Sequence, residues 1–106
     1  LKAPFGIVGL ETSFALSYTE LVDKGILTLS QLVEKMSVNP AKVLGIDKGN
    51  LAQGKAADIV IADISEEYEI DSKKFVSKGK NTPFDGKKVK GRVITTIVDG
   101  KIVYQE

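Results

Sequence analysis

The 106-residue sequence contains no histidine, no cysteine and no tryptophan. Without cysteine there are no disulfides and no thiolate metal sites, and nothing calls for an oxidising compartment, so a cytoplasmic setting is the expectation. Without histidine, the commonest zinc ligand and the commonest general base are both missing. Any chemistry the chain performs must come from carboxylates, Lys, Ser, Thr or Tyr. No apolar run approaches the ~20 residues that cross a bilayer, and no membrane role is expected. Aromatic residues are 7% and the net charge is only +1. That balance creates no global field to steer nucleic acid and gives weak protection against self-association.

What is present is an ordinary globular mixture, 42% hydrophobic and 27% charged, in a chain too short for a barrel of about 250 residues. It opens at Leu1 and runs directly into Ala3-Pro4-Phe5-Gly6, with neither an initiator Met nor a signal peptide, and so reads as the interior of something longer. Leu10, Phe14, Tyr18, Leu21 and Val22 recur at three- to four-residue intervals, which predicts a helix over 11–24 that Gly25 can close with a left-handed cap. Thr28-Leu29-Ser30-Gln31 has the spacing of a capping box, and Leu29, Leu32, Val33 and Met36 form the apolar stripe that follows. Asn39-Pro40 offers an N-cap with Pro at the first helical position, and Gly45 closes this third, short helix.

After Gly45 the texture becomes that of strands and turns. Ala57-Asp58-Ile59-Val60-Ile61-Ala62 is apolar on both faces, as a buried central strand should be. Tyr68 and Ile70 alternate with Glu67 and Glu69, which suggests a half-exposed strand. Asp71 is placed to cap a single turn reaching Phe75, and residues 77–86 are dense in loop formers. Residues 93–98 are rich in β-branched side chains, Asp99-Gly100 is a favoured type I′ dipeptide, and Ile102-Val103-Tyr104 is the returning strand. The expectation is therefore an α+β chain: helices in residues 1–45, then a small, largely antiparallel sheet in residues 46–106. The helix stripes need more partner surface than one small sheet provides.

Few side chains invite a chemical role. Glu11 at a helix start is sufficiently accounted for by the helix dipole. Asp58, just ahead of an apolar strand, reads as a turn hydrogen-bonder, since a metal role needs neighbouring ligands. Lys73, Lys74, Lys78, Lys80, Lys87, Lys88, Lys90 and Arg92 form a basic cluster, but Trp is absent, aromatics are only 7% and no nucleic-acid motif surrounds the lysines. A solvated face, offset by Glu66, Glu67, Glu69 and Asp71, is expected rather than a nucleic-acid surface. Pro4-Phe5-Gly6 by itself is an ordinary turn ahead of a helix.

Two strings are more distinctive: Ala3-Pro4-Phe5-Gly6-Ile7-Val8-Gly9-Leu10-Glu11-Thr12 and Ser77-Lys78-Gly79-Lys80-Asn81-Thr82-Pro83-Phe84-Asp85-Gly86. A third, more general pattern comprises Asn39-Pro40-Ala41, Gly49-Asn50-Leu51, Gly54-Lys55-Ala56-Ala57-Asp58-Ile59-Val60 and Thr96-Ile97-Val98-Asp99-Gly100-Lys101. Together, over essentially the whole chain, these resemble the carboxy-terminal part of class I dihydroorotases in the amidohydrolase superfamily. The resemblance implies a (β/α)₈ barrel carrying a small β-sandwich, with residues 1–45 as terminal barrel helices and residues 46–106 as the carboxy-terminal share of the sandwich.

It further implies an enzyme of de novo pyrimidine biosynthesis that interconverts N-carbamoyl-L-aspartate and dihydroorotate. In that family a metal-bound hydroxide attacks the ring carbonyl and an aspartate at the end of the last barrel strand shuttles the proton. The zinc ligands would be histidines, a carboxylated lysine and that aspartate, all upstream of the Pro-Phe-Gly loop. This chain would then hold no metal and be inactive alone, completed by a missing amino-terminal barrel portion. By the same resemblance the backbone of Phe5 and Gly6 touches substrate, where a glycine lets a planar ring approach the main chain. The rival readings are a hydantoinase or allantoinase, which would share the Gly-Leu-Glu and Asn-Pro-Ala strings, a non-catalytic homologue of the same scaffold, and an independent lysine-rich binding module. As an isolated piece, the chain is expected to self-associate through its apolar helix faces.

Overall fold

The computed structural model describes residues 6–106. The first helix, α1, runs Ser13–Ser17 and continues through a wider π turn at Tyr18–Val22. Its inward face is Phe14, Ala15 and Tyr18, with the Phe14 and Tyr18 ring centroids 6.3 Å apart. The anticipated stripe thus begins at Phe14. Leu10 precedes the helix and is 97% exposed. Gly25 ends the segment with positive φ and donates its N–H to the Val22 carbonyl at 3.0 Å.

The second helix, α2 (Leu29–Val33), opens on the anticipated capping box: Thr28 Oγ1 accepts from the Gln31 N–H while Gln31 Oε1 accepts from the Thr28 N–H. A π turn at Glu34–Val38 then carries the chain into α3, Asn39–Leu44. The N-cap expected at Asn39 does not form, because the backbone before it is already helical and Asn39 itself is in the helical region. With the preceding turn supplying acceptors, no free N–H is left for its side chain to satisfy. Pro40 still sits where its missing N–H costs little, and Gly45 provides the left-handed cap, φ 70°.

Five strands follow. β1 (Ile59–Asp63), β4 (Arg92–Val98) and β5 (Lys101–Gln105) form one antiparallel sheet in the order β1-β4-β5, and β2 (Tyr68–Glu69) pairs antiparallel with β3 (Lys88–Val89). The α+β class holds. One assignment is corrected: β1 is an edge strand and β4 is the central one. Val60 and Ile61 are 59% and 50% exposed, so an apolar run on both faces did not signal a covered strand within these residues.

The hairpin between β4 and β5 turns through Asp99 and Gly100, both at positive φ as a type I′ turn requires. Asp58 holds it from outside. Its Oδ1 accepts from the Asp99 N–H at 2.8 Å and its Oδ2 pairs with Lys48 at 2.6 Å, and these two partners, Lys48 foremost, lower its pKa. The role expected for Asp58 in a turn is therefore met. Asp71 likewise caps the single 3₁₀ turn Ser72–Lys74 by accepting from the Lys73 N–H.

The core lies where α1 meets the short β2–β3 pair. Ala15, Ile70 and Val89 are buried together, and Leu16, Tyr68, Phe75 and Phe84 pack against them. Gly91 makes this approach possible. It has φ 102°, and a Cβ there would lie 3.3 Å from both the Ala15 Cα and the Phe14 ring. Only glycine accepts both the left-handed backbone and that contact. Thr19 fastens the same seam, its hydroxyl accepting from the Lys90 N–H at 2.9 Å and donating to the Lys90 carbonyl at 3.3 Å. Among the described residues no helix is long and apolar enough to cross a membrane.

Candidate functional site

Gly6 is the first described residue of the loop singled out in the sequence; Pro4 and Phe5 lie outside the described residues. Gly6 is exposed, and among the described residues, its chain neighbours aside, no heavy atom comes within 4 Å of the position its Cβ would occupy. Six residues on, Thr12 turns the loop into α1: it is buried, and both its N–H and its hydroxyl donate to the Gly9 carbonyl, at 3.3 and 3.4 Å.

The loop is held from across the molecule by the second distinctive string. The Val8 N–H donates to the Asn81 carbonyl at 3.0 Å, and the Asn81 side-chain amide donates to the Gly6 carbonyl. One asparagine thus grips alternate residues of the loop with its main chain and its side chain. Gly79 presses on the same stretch, since a Cβ there would lie 2.9 Å from Val8 Cγ1.

A second clasp lies at Glu11. Its Oε1 accepts from the Val76 N–H and its Oε2 from the Ser77 N–H, each at 3.0 Å. These amides, Ser77 first and Val76 second, lower its pKa, with Lys80 adding a smaller pull. The helix-dipole account of Glu11 is corrected accordingly: α1 begins at Ser13, its first turn has no acidic residue, and the carboxylate is spent on two amides of another segment.

The Asn-Thr-Pro-Phe-Asp-Gly string is organised to present Asn81. Thr82 Oγ1 accepts from the Phe84 N–H at 3.1 Å, making a tight turn. Phe84 packs against the Ala15–Ile70–Val89 core. Asp85 accepts from the Ser72 N–H at 2.9 Å and the Ser72 hydroxyl at 2.8 Å, bonds that lower its pKa, and the Gly86 N–H donates to the Ile70 carbonyl at 2.7 Å. Nothing in the spacing of the sequence signalled that residues 6–11 and 76–81 meet, because contacts between segments some 70 residues apart leave no local periodicity.

Beside this junction runs a broad, open groove walled by Ile7, Leu10, Phe14, Tyr68, Val76 and Tyr104. Arg92 stacks over the Tyr68 ring, 4.9 Å from its centroid. Burial of Tyr68 raises its pKa, with Arg92 pulling the other way. The groove offers apolar surface and oriented main chain. With no His or Cys in the sequence, and no three Asp or Glu among the described residues placed so that they could hold a metal ion, these residues do not fit a zinc ion.

Part of the basic cluster is engaged in ion pairs. Lys87 pairs with Glu20 at 2.6 Å, Lys90 with Asp23 at 3.5 Å, and Arg92 with Glu106 at 2.9 Å and Glu66 at 3.8 Å. Two of the four carboxylates, Glu20 and Asp23, come from the π turn that continues α1 and from its cap. Of the nearby acids expected to do this, only Glu66 takes part in these pairs.

Comparison with known proteins gives a consistent picture. The amidohydrolase family model matches residues 3–103. Dihydroorotases of Bacillus cereus and Bacillus cytotoxicus are 53% and 52% identical over 105 residues, 99% of this chain. The chain spans 24% of the length of either relative. Among solved structures, L-hydantoinase (dihydropyrimidinase) from Arthrobacter aurescens superposes with a TM-score of 0.90 at 42% identity, covering 98% of this chain and 24% of that one. D-hydantoinase from a Thermus species gives 0.88 at 31%, covering 96% and 23%.

Proposed function

The chain belongs to the amidohydrolase family, and we propose that it is the carboxy-terminal part of a dihydroorotase that interconverts dihydroorotate and N-carbamoyl-L-aspartate in pyrimidine biosynthesis. The observation that carries this reading is 53% identity to a dihydroorotase across 99% of the chain. In the hydrolytic direction water adds across the ring amide: the C–N bond breaks, the carbonyl carbon becomes a carboxylate, the nitrogen gains one of the water's protons and the other is released.

The share of these residues in that reaction is orientation. The backbone of Phe5 and Gly6 would face the substrate ring, and the open space over Gly6 supports an approach by atoms that do not belong to this segment. Zinc would be held by a preceding barrel portion of the same protein, since the chain has no histidine or cysteine with which to bind it. That portion is the first partner we assign. In this reading residues 1–45 complete a (β/α)₈ barrel, residues 46–106 belong to a small β-sandwich, and the enzyme works in the cytoplasm.

A hydantoinase is the second reading, favoured by the TM-score of 0.90 to the Arthrobacter enzyme, though identity there is 42% against 53%. The test is to assay the full-length, metal-loaded protein with dihydroorotate, hydantoin and dihydrouracil in parallel. The expected result is a kcat/KM for dihydroorotate at least tenfold above the other two, about 1.4 kcal/mol of discrimination. The reverse order would assign a hydantoinase, and a folded protein inert towards all three would assign a non-catalytic homologue.

A further inference from the structure

We propose that Asn81 is a positioning residue for the substrate-facing main chain, through which the segment after β2 sets the place of a loop some 75 residues upstream. This deepens the dihydroorotase reading and rests on it for the identity of the substrate, but the grip itself stands on its own geometry. Asn81 contacts the loop twice, accepting from the Val8 N–H at 3.0 Å with its carbonyl and donating to the Gly6 carbonyl with its side-chain amide. The successive Gly6–Ile7 and Ile7–Val8 peptide planes are each tethered to this one residue and have little freedom left to tilt, and a backbone hydrogen-bonding group is useful to a ligand only when its direction is fixed.

The grip is itself braced. Gly79 lets Val8 pack close against this segment, since a Cβ there would lie 2.9 Å from Val8 Cγ1. Glu11 anchors the downstream end of the loop to Val76 and Ser77. Thr82 and Asp85 fix the turn from which Asn81 projects. Asn81 is exposed and takes no part in the buried core, so its two bonds to the loop are what its placement achieves.

The test uses the full-length protein with Asn81→Asp, Asn81→Gln and wild type. Asp has the same shape but replaces the donor with an oxygen that repels the Gly6 carbonyl; Gln keeps the donor on a longer stem. The expected pattern is a KM for dihydroorotate raised on the order of 3- to 10-fold in N81D, the factor that corresponds to one hydrogen bond, with kcat changed less and partial recovery in N81Q. In parallel, hydrogen exchange should show the amides of residues 6–10 exchanging on the order of tenfold faster in N81D than in wild type.

A purely structural asparagine would lower the melting temperature of both variants without a selective rise in KM, and that result overturns the proposal. So does unchanged exchange at residues 6–10 in N81D. Should wild type fail to turn over dihydroorotate, the dihydroorotase reading falls, while the exchange measurement still decides whether Asn81 holds the loop.

Discussion

Glu11 illustrates how a single carboxylate can be misassigned from its position in a sequence. Standing two residues ahead of α1, it has the address of a helix-dipole partner, yet both oxygens accept amides of Val76 and Ser77. A charged acceptor receiving two N–H groups is replaced poorly by Gln, which offers one oxygen and turns an NH₂ donor towards the other amide. Glu11→Gln is therefore expected to destabilise the folded protein by about 1–2 kcal/mol at neutral pH, measured by urea unfolding. A change within about 0.5 kcal/mol, the usual scatter of surface substitutions, would show that the amides find water as readily as the carboxylate. The pH dependence has a definite sign. The folded pKa lies below the ordinary 4.5, so the stabilisation is fully present above that value and is lost as pH falls through the lowered folded pKa. The Gln variant should lack this component. What could be read in advance at this scale were side chains acting on their own turn, such as the Thr28–Gln31 capping box and the Asp71 cap. The partners of Glu11 and Asn81 could not, because they lie 65 to 75 residues away.

Among the elements, those whose signals are local were legible and those that depend on a neighbour were not. The hairpin at Asp99-Gly100 was readable because two successive positive-φ residues between β-branched runs have few other solutions. The edge position of β1 was not, because the apolar run at residues 57–62 states that both faces seek cover without stating what covers them. The seam between α1 and the β3–β4 connection depends on Gly91, where helix and turn approach too closely for a side chain. Gly91→Ala combines a left-handed backbone with a 3.3 Å contact against the Ala15 Cα, an atom that cannot rotate away. The expected cost is about 1–3 kcal/mol, seen as a lower urea midpoint with an unchanged slope. A Gly100→Ala control also meets positive φ, 76°, but has nothing within 4 Å, so it should cost less. Equal losses in the two variants would mean that backbone strain alone matters and the close approach of α1 does not.

At the scale of the whole molecule, the described surface is larger than a self-sufficient fold of this length should show. The accessible area is 7867 Å², against about 5800 Å² for a compact chain of about 11 kDa. The radius of gyration is 15.2 Å, against about 13 Å for a compact domain of about 100 residues. The excess is apolar in character: Leu10, Val43, Leu44, Leu51 and Val76 are all at least 72% exposed. Surfaces of that kind rarely stay bare in a monomer. The 106 residues prepared alone are accordingly expected to self-associate, with a scattering mass that rises with concentration, and to bind no stoichiometric zinc in a titration. Supplying the preceding barrel portion as a separate chain should suppress that association, because it would occupy the same faces. A monodisperse monomer across the concentration range would show that these faces need no partner, and would remove the physical reason for joining this segment to a barrel. Association that persisted unchanged in the presence of the barrel portion would place the sticky surface elsewhere, on the open edge of β1 or on the edge strand β5, where Ile102 and Val103 are 59% and 60% exposed.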